Sequence, residues 1–275
     1  MAGHQLPMCA ASLPTVLALL ALGCASAHNY VEADRPLYEV SFGVAPGPRD
    51  EIRVVTYNIE FGRNVAAAIE VLRSQPALRD PDVLLLQEMD APGVETIARS
   101  LSLNSVYYPA SLSPKTNRDL GEAVLSPGPI EERWKIRLPH LSRFSGHARS
   151  AVGVRIRIGD RHVRVYSVHL GTPINLSPQQ RRDQLEAVLE DAEKAAVGDA
   201  VIIGGDFNDK KMAERVASRG LVWPTRDIGR TTAYFSFDHV LALGLEPVPG
   251  VSAGVAREAK GVSDHLPVWA SFASR

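Results

Sequence analysis

The chain has 275 residues, 45% hydrophobic and 22% charged, with a formal net charge of -1. That balance describes a soluble globular protein. It excludes a disordered chain and one that gathers nucleic acid through a global basic field. The two cysteines, Cys9 and Cys24, both lie near the N-terminus, so the body holds neither a disulfide nor a thiol nucleophile.

Residues 1–28 carry no Lys, Arg, Asp or Glu, and Leu13 to Leu22 is an apolar run too short for a membrane span. Small residues follow, so residues 1–27 read as a signal peptide. Ala25-Ser26-Ala27 fits an ordinary cleavage site, and Ala21-Leu22-Gly23-Cys24 resembles a lipobox that would leave Cys24 lipidated. An exported protein is expected, either a cell-envelope lipoprotein or secreted, touching a membrane only through such an anchor. Residues 28–50 are weakly patterned and read as a lead-in. No linker or repeat divides the remainder, so 51–275 is expected to be one domain, working as a monomer.

Ile52 to Asn58 is β-branched and reads as a strand ending at Asn58. Asn64 to Ser74 has helical apolar spacing. Asp82 to Glu88 is a continuous apolar run, hence a strand buried on both faces, ending at Glu88. Gly93 to Leu103 predicts a helix, and Glu122 to Ser126 a short strand. Val152, Val154, Ile156 and Ile158 alternate, Gly159-Asp160 turns, and Val163 and Val165 resume the period. Pairing Ile158 with Arg161 sets Val154 opposite Val165 and puts Ser167 and His169 on the same apolar face. Ser177-Pro178 opens the longest helix, with Leu185, Val188, Leu189 and Ala192 on its buried side. Val201 to Gly205 is a buried strand. Asp206 and Asn208 follow, two apart, and point the same way if the segment stays extended. Met212 to Arg219 is expected to be helical, Ser236 to Ala242 a strand, and Ser263-Asp264-His265 a polar lead into the last strand.

Polar groups at the rims of a core are costly unless they serve a purpose. Here apolar strands end in Asn58, Glu88, His169, Asp206 and Asn208, and begin near Asp238 and Asp264-His265. Pooled, they suggest one cleft. Oxygen donors without cysteine select a hard cation, Mg²⁺, Mn²⁺ or Ca²⁺, and a hard cation with histidines suits a phosphate. Nine basic residues between Arg133 and Arg164 read individually as a solvated face and together as a possible phosphate-facing surface. Arg181 and Arg182 sit at a helix start, where the dipole disfavours cations, which hints at a bound phosphate or carboxylate.

The segments Thr56-Tyr57-Asn58-Ile59, Leu86-Gln87-Glu88, Ser167-Val168-His169-Leu170, Gly204-Gly205-Asp206-Phe207-Asn208, Phe237-Asp238-His239-Val240 and Ser263-Asp264-His265-Leu266-Pro267-Val268 stand in one order along the chain. Together they resemble the endonuclease/exonuclease/phosphatase superfamily. That resemblance implies an α/β fold, a four-layer α/β/β/α sandwich of two packed mixed sheets flanked by helices. It implies Glu88, Asn58 and Asp264 at a Mg²⁺ or Mn²⁺ ion, and Asp206 orienting or deprotonating water. It further implies Asn208 on the phosphate, Asp238 paired with His265, and His169 as a second histidine on the phosphate oxygens.

Gly121-Glu122-Ala123 departs from a family strand that often reads Gly-Asn-Ala. Glu122 would either repel a polyanion or pair with an arginine such as Arg149, itself a candidate substrate contact. The expected activity is that of a metal-dependent phosphoric ester hydrolase, most simply a nuclease-like phosphodiesterase. Its partner would be a phosphate ester of a nucleic acid or a phospholipid headgroup. The alternatives are a sphingomyelinase-like enzyme or a phosphomonoesterase, and then a non-catalytic surface binding protein. No aromatic hairpin for lipid insertion is evident in the sequence.

Overall fold

The structure is a computed structural model, and it describes residues 27–274 apart from 48, 114–115, 196, 210–214 and 216–218. Cys24 and the expected signal peptide up to residue 26 lie outside the described residues, as does nearly all of the expected helix from Met212 to Arg219.

Twelve strands are described: β1 (Tyr38–Ser41), β2 (Glu51–Asn58), β3 (Val83–Met89), β4 (Asn104–Leu112), β5 (Asp119–Ser126), β6 (Ile130–Arg137), β7 (Ser150–Ile158), β8 (Arg161–His169), β9 (Ala200–Asp206), β10 (Asp238–Leu243), β11 (Ala253–Val255) and β12 (Val268–Ala273). Among the described residues, three α-helices with full bounds accompany them: α1 (Val65–Ser74), α2 (Ala91–Leu101) and α3 (Pro178–Ala192). A seven-stranded sheet runs β1-β4-β5-β3-β2-β12-β11, and a five-stranded sheet runs β10-β9-β8-β7-β6. Both are mixed, with β2–β3 and β8–β9 parallel and the other pairs antiparallel.

The alternation in β7 and β8 sends Val152, Val154, Ile156, Val163 and Val165 inward, where they meet Val54, Leu85 and Val124 of the other sheet. That shared layer joins the two sheets. On the outer face of the larger sheet, α1 and α2 pack Leu72, Val94 and Ile97 against Leu84 and Leu86. On the outer face of the smaller one, α3 packs Leu185, Val188 and Leu189 against Tyr166, Val168 and Ile203. Four layers result, as the sequence implied. Helix α3 has a complete capping box between Ser177 and Gln180, which satisfies two amide donors the helix would otherwise leave orphaned.

The hairpin forms in the expected register, with Ile158 opposite Arg161 and Val154 opposite Val165. Two expectations change. The lead-in contributes β1, which pairs with β4 and extends the larger sheet. The segment after β9 does not stay extended, because Asn208 is left-handed at φ 48°. The basic stretch is also mostly structural. Arg155 binds Glu131 and Asp199, Arg164 binds Asp191, Arg133 binds Glu39, and Lys135 is buried against the carbonyls of Tyr30 and Arg35.

Candidate active site

Strands β2 and β3 run parallel, so Asn58 and Glu88 finish at the same edge of the larger sheet. Strands β8 and β9 do the same for His169 and Asp206, which are register partners. Asp238 opens β10 directly opposite Asp206. His265 comes from the segment before β12, so it arrives from the larger sheet. The site is therefore a seam between the two sheets. Glycine permits the close approach: a Cβ on Gly204 would stand 2.6 Å from Leu85 Cδ1 of the larger sheet.

Asp206 is the hub. Its Oδ1 accepts the Asn208 amide at 3.0 Å, and its Oδ2 accepts Asn58 Nδ2 at 3.2 Å across the seam. The same Oδ2 lies 3.4 Å from His169 Nε2 and 3.6 Å from His265 Nε2. Burial pushes the Asp206 carboxyl up to about 7 against the pull of His265. His265 Nδ1 is 2.8 Å from Asp238 Oδ2. Burial alone would discharge His265, but Asp238 and Asp206 outweigh it and raise the imidazole to about 10. His169 goes the other way: burial, then the Arg149 guanidinium and His265, hold it well below the usual histidine value.

Glu88 sits at a bulge in β3 with a left-handed φ of 57°, a costly conformation for a non-glycine residue and one typical of functional sites. Its Oε2 accepts the Phe61 amide at 3.2 Å, and burial raises the carboxyl, helped by nearby Asp264. Glu88, nearby Asp264 and the Asn58 amide are oxygen donors of the type that suits a hard divalent cation. Among the described residues, Asp206, Asp238 and His265 also place ligand-type atoms within 4.8 Å of one another. Both imidazole nitrogens already face carboxylates there, one in a hydrogen bond and one in an ion pair, so this group reads as a charge chain rather than a cation cage.

All eight residues expected at the cleft arrive there or at its rim: Asp264 is exposed beside His265, and the other seven are buried or nearly so. Asn208 does so with a different orientation, its Nδ2 turned to the Leu170 carbonyl at 3.0 Å. Arg149 is also present, but its Nη1 lies 2.9 Å from His169 Nδ1. Glu122 is buried, accepts the Ser150 hydroxyl at 2.7 Å and stands 3.9 Å from His169 Nδ1. Burial lifts its carboxyl to about 8 despite Ser150 and Arg149. Arg181 reaches Asp209 at 3.5 Å, so its helix-start position serves a carboxylate.

Sequence reasoning missed the supports. Gln87 bonds Thr56 and reaches across to Ser167, stitching the sheets directly beneath the site. Thr231 Oγ1 accepts the Phe237 and Asp238 amides and so fixes the Asp238 backbone. Buried polar residues inside apolar runs, Gln87 and Ser167, were the available signal. The structure also shows an exposed aromatic turn, with Tyr234 78% and Phe235 56% accessible, which corrects the expectation that no such feature exists.

Several solved structures share this fold. An endonuclease/exonuclease/phosphatase from Beutenbergia cavernae superposes with a TM-score of 0.65 at 21% identity, covering 82% of this chain and 72% of its own. D. rerio TDP2 complexed with a single-strand DNA product gives 0.63 at 19% identity, covering 82% and 100%. The human Nocturnin catalytic domain with bound sulfate gives 0.60 at 18% identity, covering 86% and 97%. No curated protein matches the chain. The model of the Endonuclease/Exonuclease/phosphatase family matches residues 55–265, the span that carries every strand end of the seam, and the chain belongs to that family.

Proposed function

We propose that this protein is a divalent-metal-dependent phosphoric ester hydrolase, acting as a nuclease-like phosphodiesterase. The observation that carries the reading is one seam holding both the Glu88 carboxylate, beside the Asn58 and Asp264 oxygens, and a His265 hydrogen-bonded to Asp238 and ion-paired with Asp206. Glu88, Asn58 and Asp264 would hold Mg²⁺ or Mn²⁺, which when bound offsets negative charge on the phosphoryl oxygens. Asp206 accepts a proton as the water oxygen bonds to phosphorus and the opposite P–O ester bond breaks. His265, charged by its two carboxylates, and the N–H of His169 donate to the non-bridging oxygens. Asn208 Nδ2 keeps one hydrogen for the phosphate beyond the one it gives Leu170. The D. rerio relative bound to a single-strand DNA product supports a polynucleotide substrate.

A second reading, a phospholipid phosphodiesterase, is favoured by the exposed Tyr234–Phe235 turn. That turn is tied to the site by the Leu266 amide on the Thr231 carbonyl at 2.7 Å and by Thr232 pairing with His265. One panel tests both: single- and double-stranded DNA, RNA, bis-p-nitrophenyl phosphate and sphingomyelin vesicles, each with Mg²⁺ or Mn²⁺. We expect nucleic acid cleavage that chelation abolishes and Asp206→Ala lowers by about 10³-fold or more. Phosphocholine release in place of strand cleavage assigns the second reading. No turnover of any ester, or an Asp206→Ala variant as active as the parent, rejects the hydrolase.

A further inference from the structure

We propose that Arg149 is a positioning residue that locks His169 in its Nε2–H tautomer, so that the ring's one N–H faces the reacting side of the seam. Its catalytic meaning rests on the hydrolase reading above; the tautomer itself does not.

An imidazole carries its proton on either nitrogen, and the partner of one nitrogen decides the state of the other. A guanidinium only donates and stays charged. Arg149 Nη1 stands 2.9 Å from His169 Nδ1, so Nδ1 must offer its lone pair. A proton there would set two N–H groups head to head. The ring proton is left on Nε2, which lies 3.4 Å from Asp206 Oδ2 and 3.9 Å from Glu88 Oε1.

Among the described residues, no other group hydrogen-bonds Nδ1. Glu122 Oε1 is 3.9 Å away, beyond hydrogen-bond reach, and Glu122 Oε2 is engaged by the Ser150 hydroxyl. Arg149 is held from behind. Its carbonyl accepts the Leu138 amide at 3.0 Å, and the next residue begins β7. Its Nε is buried with no hydrogen-bond partner. The side chain thus gives up one donor's satisfaction to hold this orientation, which marks a placed group rather than a solvent-seeking one.

The arrangement accounts for the acid at position 122. Glu122 binds across the seam to Ser150, the neighbour of Arg149, and leaves Nδ1 to the guanidinium. Histidine ¹⁵N spectra of the metal-free full chain test the tautomer, with His169→Gln identifying the resonance. We expect Nδ1 unprotonated and Nε2 protonated in the parent and in Arg149→Lys, which also only donates. Arg149→Met should shift the ring toward a mixture. In turnover, Arg149→Met should lower kcat by roughly 2- to 10-fold with KM nearly unchanged, and Arg149→Lys should recover part of that loss.

A protonated Nδ1 in the parent overturns the proposal, as does an Arg149→Met spectrum identical to it. A raised KM at constant kcat also overturns it, because Arg149 would then be a phosphate contact. If Arg149→Met fails to fold, the parent and Arg149→Lys spectra still decide. If no ester is hydrolysed, the spectra stand alone, which separates failure here from failure of the hydrolase reading.

Discussion

His169 and His265 approach the same oxygen of Asp206, at 3.4 and 3.6 Å, and both are buried, yet they are pulled to opposite charge states. His265 presents its far nitrogen to the Asp238 carboxylate and is raised to about 10. His169 presents its far nitrogen to a guanidinium and is lowered. Burial is common to the two, so burial cannot distinguish them. What differs is the group that meets the second nitrogen, and that group comes from β10 in one case and from the residue before β7 in the other. One hub thus faces a cation and a neutral donor.

The sharpest way to break this contrast is to give both rings the same replacement. Glutamine supplies a neutral N–H but no charge. His265→Gln should lower kcat by about 10³-fold, and His169→Gln by nearer 10-fold, since only the first loses a cation. Stability adds a signed check. His265 is raised above its unfolded value near 6.5, so its contribution is complete below that pH and disappears as pH rises through about 10. The melting gap between parent and His265→Gln should therefore be wide at pH 6 and close near pH 10. Equal losses for the two glutamine variants would dissolve the comparison.

A smaller effect follows from removing only the carboxylate behind His265. Asp238→Asn should lower kcat by about 10²-fold and move the His265 titration, followed by NMR, down from about 10. The His169 tautomer should not change. The smallest effect concerns Glu122 and is a matter of melting temperature. A carboxyl raised from 4.5 to about 8 means the folded state binds more protons between those values, so stability falls as pH climbs through them. Glu122→Gln should flatten that fall by a few degrees between pH 5 and 9 and leave melting near pH 4.5 unaltered.

Much of this was legible because the hairpin wrote its own register. Six β-branched residues at period two and a Gly159-Asp160 turn leave one pairing that turns them to the core, and that pairing carries His169 to the seam. The strands that escaped detection lack such a pattern. Strand β6 is an edge strand of Glu, Arg and Lys with Trp134 and two isoleucines, and β4 contains Pro109, tolerated at a register shift in its pairing with β5. Strand β1 is four residues long and mostly exposed. In the site, acids and amides that end apolar runs announce themselves. Arg149 shows in the sequence only as a partner for Glu122 and a substrate contact; its place on the His169 ring has no signature in a stretch of nine cations until the ring is seen. The orientation of Asn208 was hidden for a related reason: a left-handed turn at φ 48° is a property of the backbone.

The stitch between Gln87 and Ser167 lies under a cleft whose two walls belong to different sheets. Asn58 and Glu88 are supplied early in the chain by one wall, and His169, Asp206 and Asp238 later by the other. Neither half-molecule owns a working set, so competence arrives only when the two sheets dock face to face. A mutation deep in the shared hydrophobic layer that slid one sheet by a single residue would silence the protein while sparing every group that does chemistry.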